Sequence, residues 1–228
     1  MNDGPTRPEV DQQAEFAQAE RIFEEFSKSE NFRKISEVAK EYLRSISGDP
    51  NARKIFDRGW RGAIFEQIAY LWLSAKLQSA GVSSPDEAID WYHNLFPRRP
   101  IIVTGFQKGI AGLTNFDGLI VSPTEGGDRE IAGFCEYTLH TFRSKFEHVY
   151  RIFKKDSLLP GVRTKPQPQL IFVTPRRTNI EEEVRGYIRQ KDPVADVDEI
   201  VKVYQTPFNR EQFKALLIKY QMAPPSYV

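Results

Sequence analysis

Two short apolar runs, each interrupted by one carboxylate, constrain this chain more than any other feature. They are Asn115-Phe116-Asp117-Gly118-Leu119-Ile120-Val121 and Ile131-Ala132-Gly133-Phe134-Cys135-Glu136-Tyr137-Thr138. Both are rich in Ile, Val, Phe and Tyr and read as β-strands. Between them, Ser122-Pro123-Thr124-Glu125-Gly126-Gly127-Asp128-Arg129 is turn chemistry. The midpoint between Asp117 and Glu136 falls between Gly126 and Gly127, so the simplest hairpin register sets the two acids opposite each other. Side chains so paired lie ~4.5–5.5 Å apart on one face, and like charges there repel. Asp and Glu are depleted in strands, and these two share their faces with Leu119 and Val121, and with Ala132 and Phe134. A carboxylate on such a face needs a partner. A divalent cation is the natural one, because hard cations take carboxylate oxygens. The alternative is a slipped register that leaves both acids solvated.

A third acid lies upstream. Residues 62–75 read as a helix apolar on most sides, with Phe65, Ile68, Ala69, Trp72 and Ala75 as its main stripe and Leu73 and Leu77 extending it. Such a helix is buried. Glu66 is the only charged group in its central turns, so it is either paired (with Arg58, Arg61 or a distant Lys) or part of a site.

A helix carrying Phe65-Glu66, a strand carrying Asn115-Phe116-Asp117-Gly118, and Glu136-Tyr137-Thr138 followed by a helix together resemble the PD-(D/E)xK nuclease superfamily. The likeness covers about residues 59–175, with an extension to 206. It implies a restriction-endonuclease-like core of order α-β-β-β-α-β. It also implies Mg²⁺ (or Mn²⁺) held by Asp117, Glu136 and the carbonyl of Tyr137, with Glu66 serving a second ion or its water shell. The sequence departs from the pattern twice: Phe116 stands where the family often has Pro, and Thr138 stands where it has Lys. That Lys is thought to orient the attacking water or neutralise developing charge, so another cation must substitute or activity is lost. Lys145, in the following helix beside the stripe Phe142, Phe146, Val149 and Phe153, is the first choice; His140 and Lys108 are the others.

The remaining pattern gives an α/β fold: a mixed central β-sheet flanked by helices, with an N-terminal helical annex. Helices are predicted over 12–28 and 31–46, the second ended by Ser47-Gly48-Asp49-Pro50, followed by a short turn at 51–58. Ser84-Pro85-Asp86-Glu87 opens a helix to Phe96. Strands are predicted over 101–106, 115–121, 131–139, 169–174 and 199–205, and helices over 141–155, from Thr178 by a capping box to about 190, and after Asn209. The expected organisation is a disordered arm (1–11), the annex (12–58), the core (59–222) and a tail (223–228).

Composition removes several classes of function. The chain has 228 residues, 40% of them hydrophobic, which suffices for one large domain. A net charge of +1 gives no global basic field, so nucleic acid would be held by local patches: Arg53-Lys54 with Arg58 and Arg61, Arg98-Arg99, Lys154-Lys155, or Arg176-Arg177. Arg176-Arg177 lies between a strand end and a helix start, a phosphate-facing place. The single Cys135 excludes an intrachain disulfide and fits a reducing compartment. Three His without zinc spacing, and no GxSxG, P-loop or GxGxxG, exclude those chemistries. No apolar run is long enough for a membrane span, and the first residues lack a signal pattern, so a cytoplasmic protein is expected. Three functions compete: a metal-dependent nuclease acting on DNA; a degenerate nuclease fold that binds nucleic acid or a protein without cutting; and an interaction protein whose N-terminal helices form a homodimer or partner interface.

Overall fold

Capping residues decide where the N-terminal helices begin. The computed structural model describes residues 9–46, 48–79, 116–123, 129–139, 143–156 and 164–224. Helix α1 spans Glu9–Ser27 and α2 spans Glu30–Ser45. Ser29 caps α2, its hydroxyl accepting the N–H of Phe32 at 3.1 Å. Asp49 then caps α3 (Pro50–Ser79), accepting the N–H groups of Asn51 and Ala52 at 2.9 and 3.1 Å. Pro50 takes the first helical position, where its missing N–H is not needed. The turn expected at 51–58 is therefore helical: Asp49-Pro50 starts a helix as well as ending one. The boundary expected between residues 58 and 59 lies inside this continuous helix.

The sheet has the order β1-β2-β3-β4. Strand β1 (Gly118–Pro123) runs antiparallel to β2 (Arg129–Tyr137), with Gly118 opposite Cys135, Leu119 opposite Phe134 and Ile120 opposite Gly133. The register shifts by one after Ile120, which leaves Ala132 without an opposite residue, a bulge. Strands β3 (Thr164–Thr174) and β4 (Val201–Gln205) extend the sheet in parallel. Between β2 and β3 runs α4 (Arg143–Asp156), and between β3 and β4 run α5 (Ile180–Lys191) and α6 (Val197–Ile200). The strand expected from Glu199 starts only at Val201, because Asp196 caps the short α6 through the N–H of Glu199. No capping box from Thr178 forms. Asn179 precedes α5 in the left-handed region with φ 60°, a conformation Asn tolerates, and makes no side-chain cap bond. Asn209 does cap α7 (Arg210–Lys219), in a full capping box with Gln212. The expected helix at 84–96, the strand at 101–106, Lys108 and His140 lie outside the described residues.

Strand alternation divides the core. Cys135, Tyr137, Ile171 and Val173 face a cluster built by α1, α2, α3 and α7. Phe134, Leu170, Phe172 and Val201 face α4 and α5, through Phe146, Val149, Val184 and Ile188. Helices thus cover both faces of the mixed sheet, and β2 is buried on both sides. Helix α1 belongs to this packing: Phe23 meets Phe208 and Phe213 at 5.5 and 5.9 Å between ring centroids. Trp60 of α3 donates its indole N–H to the Met222 carbonyl at 2.9 Å, tying the helix to the C-terminal segment. Among the described residues no helix is long and apolar enough to cross a membrane.

Candidate active site

The C-terminal end of β2 is where the acids gather. Glu136 stands on the face turned to α4, paired in register with Phe172. Only 3% of it is exposed. Lys145, in the first turns of α4, places its ammonium on Glu136 Oε1. The placement follows from packing: the neighbouring Phe146 is wedged edge-on against Phe172 at 5.4 Å, which brings Lys145 to the strand residue beside it.

Asp117 departs from the simple cross-strand picture. The register of Gly118 to Ile120 is the expected one, but Asp117 lies one residue outside β1. Its N–H donates to the Cys135 carbonyl at 3.0 Å, one residue short of Glu136. Phe116 packs on Phe134, 5.2 Å between centroids, so alternation breaks at Asp117. The carboxylate instead takes the backbone N–H of Tyr137 at 2.8 Å. Thr138 donates its own N–H to Val173 across the parallel ladder at 2.9 Å. Successive residues alternate along a strand, so the N–H and carbonyl of Tyr137 point the other way, toward β1 and Asp117. Gly118 permits this closeness, since a Cβ there would come within 2.6 Å of the Tyr137 hydroxyl oxygen.

Glu66 approaches from α3. Tyr70, one helical turn further on, packs edge-on against Tyr137 at 6.3 Å, so Glu66 lies on the helix face turned to β2. Neither Arg58 nor Arg61 pairs with it among the described residues; the cation that acts on it is Lys145. Thr138 is buried at 4% exposure and held by the β3 ladder. It supplies no charge.

Electrostatics tie these groups together. Burial, then the charge of Glu136, pushes Glu66 up to about 8, and Lys145 offsets this only in part. Burial, then Glu136 and Glu66, holds Asp117 well above the usual carboxylate range, against the opposing Tyr137 N–H and Lys145. Burial raises Glu136 despite its ion pair. Burial by itself would lower Lys145, but Glu136, Asp117 and Glu66 together raise it. Three acids thus share one ammonium, and in a poorly solvated place the unmatched carboxyl groups retain their protons to higher pH.

Such a donor set suits a hard divalent cation: carboxylate oxygens, one backbone carbonyl on the same side, and a deficit of positive charge. As the side chains stand, no group of three among the described residues converges as ligands of one ion. Lys145 holds Glu136 in that arrangement. What sequence reasoning missed is the role of the Tyr137 N–H in holding Asp117, and Arg210, whose Nε donates to the Leu139 carbonyl at 2.8 Å just beyond the site. The two residues are 71 positions apart, so no local pattern marked the contact. No family model, curated protein or solved structure matches this chain.

Proposed function

We propose that this protein is a metal-dependent nuclease that hydrolyses DNA phosphodiester bonds, with a restriction-endonuclease-like core. The observation that carries the reading is that Glu66 of α3, Asp117 before β1, Glu136 of β2 and Lys145 of α4 all act on one another's charge at the end of β2. The order of these residues along the chain, and the strand context of two of them, resemble the PD-(D/E)xK pattern.

Asp117, Glu136 and the Tyr137 carbonyl would hold Mg²⁺ or Mn²⁺. A bound divalent ion lowers the pKa of water and neutralises charge on a phosphate transition state. The chain's own residues supply the rest. The Tyr137 N–H fixes the Asp117 carboxylate in orientation. Glu66, whose carboxyl burial and the charge of Glu136 push up to about 8, would give up its proton to serve a second ion or its water shell. Lys145 brings the positive charge that Thr138 lacks, and it reaches the site from a helix instead of the strand.

A second reading has one observation in its favour. Lys145 already neutralises Glu136, so the fold keeps its acids in place without a metal. A protein that binds nucleic acid or a protein partner without cutting fits that state. Cleavage of plasmid and oligonucleotide DNA with Mg²⁺ and Mn²⁺ separates the two. Metal-dependent cutting, abolished in Asp117→Ala, is expected. A folded wild type that cuts nothing with either ion would decide for the binding protein.

A further inference from the structure

Beyond the acids, the same rim of the sheet carries a second chemistry. A cavity of 420 Å³ opens between the end of β3 and the start of α7, lined by Pro175, Arg176, Arg177, Asn209, Arg210 and Glu211. A smaller one of 240 Å³ adjoins it, with Arg210 and Glu211 shared and Arg58, Arg61 and Lys214 added. The two form one ledge. Six cationic side chains meet two carboxylates on it, Glu183 on Arg177 and Glu211 on Lys214. Arg58 and Arg61, three residues apart on α3, have no carboxylate partner among the described residues; Arg61 is held only by the Asp57 carbonyl at 3.1 Å. Arg210 is likewise held by a carbonyl, that of Leu139. Burial, then the nearby charge of Arg177, keeps its guanidinium below the usual range.

The helix start itself is not what draws an anion here. Asn209 already accepts the N–H groups of Glu211 and Gln212, at 3.0 and 2.9 Å. The attraction comes from guanidinium groups, whose forked donors match phosphate oxygens. Leu139, which lines the smaller cavity, lies three residues beyond Glu136, two past the end of β2. Three residues span at most about 10 Å. That is no more than about three base steps of a nucleic acid strand, at ~3.4 Å of axial rise each.

We propose that Arg58, Arg61 and Arg210, with Arg176 and Arg177, form a binding surface for the sugar–phosphate backbone of nucleic acid that runs along this rim toward the acid cluster. The direction toward the acids rests on the nuclease reading, whereas the binding itself does not. Because such contacts grip phosphates, they carry no base sequence.

The test is equilibrium binding of a labelled short DNA duplex, and of an RNA strand of the same length, in EDTA so that cleavage cannot occur. Wild type, Arg58→Gln/Arg61→Gln and Arg210→Gln are compared across a salt series, with Arg33→Gln/Lys34→Gln on the exposed side of α2 as the control. Circular dichroism and melting confirm that each variant is folded. Wild type is expected to bind at least one of the two probes with affinity that falls steeply with salt. The slope should drop by roughly 0.9 for each phosphate contact removed, and affinity at low salt by about tenfold in the double variant. The control variant should retain wild-type binding. Failure of wild type to bind either probe, or equal binding by folded rim variants, would overturn the rim. A rim that binds while no divalent ion supports cutting would defeat the nuclease reading and leave the rim standing. Metal-dependent cutting with unchanged binding in the rim variants would do the reverse.

Discussion

Glu66 is the residue whose environment has the clearest consequence in solution. Its carboxyl is raised to about 8 in the folded chain, from an ordinary value of 4.5. Between those values the folded state binds more protons than the unfolded one, so stability falls as pH rises across that window. The expected outcome is a melting temperature that declines from about pH 5 to pH 8, with the decline flattened in Glu66→Gln. Some slope should remain, because Asp117 and Glu136 are raised too. Parallel pH profiles for wild type and Glu66→Gln would rule out this environment. Lys145 supplies the matching test. In Lys145→Met, Glu136 stays buried without its cation, and the metal-free protein should lose about 1–3 kcal/mol in urea unfolding at pH 8. Mn²⁺ should restore part of that loss. On the nuclease reading, cleavage should fall by roughly a hundred- to a thousandfold. Unchanged stability together with unchanged cleavage would remove Lys145 from the site.

Among the elements, α1 and α3 settle how the N-terminal region relates to the sheet. Both helices bury a face, Ala19, Phe23 and Phe26 on one and Ile35, Ala39 and Leu43 on the other; of the stripe Ile35, Val38, Ala39 and Tyr42 that the spacing predicts on the second, only Ile35 and Ala39 are buried. They are used inside the chain, against α3 and α7, in one cluster with the sheet residues Cys135 and Val173. What remains outside is Val38, Tyr42 and Ile55, which are 50%, 46% and 70% exposed. Phe23→Ala should therefore cost about 3–5 kcal/mol, the range for emptying a buried Phe site. Chemical unfolding in a single transition, shifted by that amount, is the expected observation. A loss below about 1 kcal/mol would mean that α1 is an appended element, as its place in the sequence suggests.

For the whole molecule, a net charge of +1 conceals a segregation. Acids with raised proton affinity occupy the end of β2, and guanidinium groups line the ledge beside them. If the acids take a divalent ion, they must give up protons to do so. Titration of Mn²⁺ at pH 7, repeated in buffers of different ionisation heat, should show release of on the order of one proton. The release should shrink toward pH 9, where Glu66 is already ionised, and it should be smaller in Glu66→Gln. Binding with no proton release at pH 7 would place the ion elsewhere.

Local chemistry was legible in the residues themselves. The spacing of the two apolar runs predicted the register of Gly118 to Ile120, Asn209 and Gln212 announced the start of α7, and the uninterrupted apolar run 169–174 marked a strand buried on both faces. Each of these depends on neighbours within a few positions, and so does the single charge that made Glu66 conspicuous. Tertiary structure alone decided that Asp117 leaves the strand register to take the Tyr137 N–H and that Arg210 reaches the Leu139 carbonyl. Those outcomes depend on how α3 and α4 sit against the sheet and on where one bulge falls. Side-chain packing across residues far apart in the chain sets both, so no window of sequence contains them.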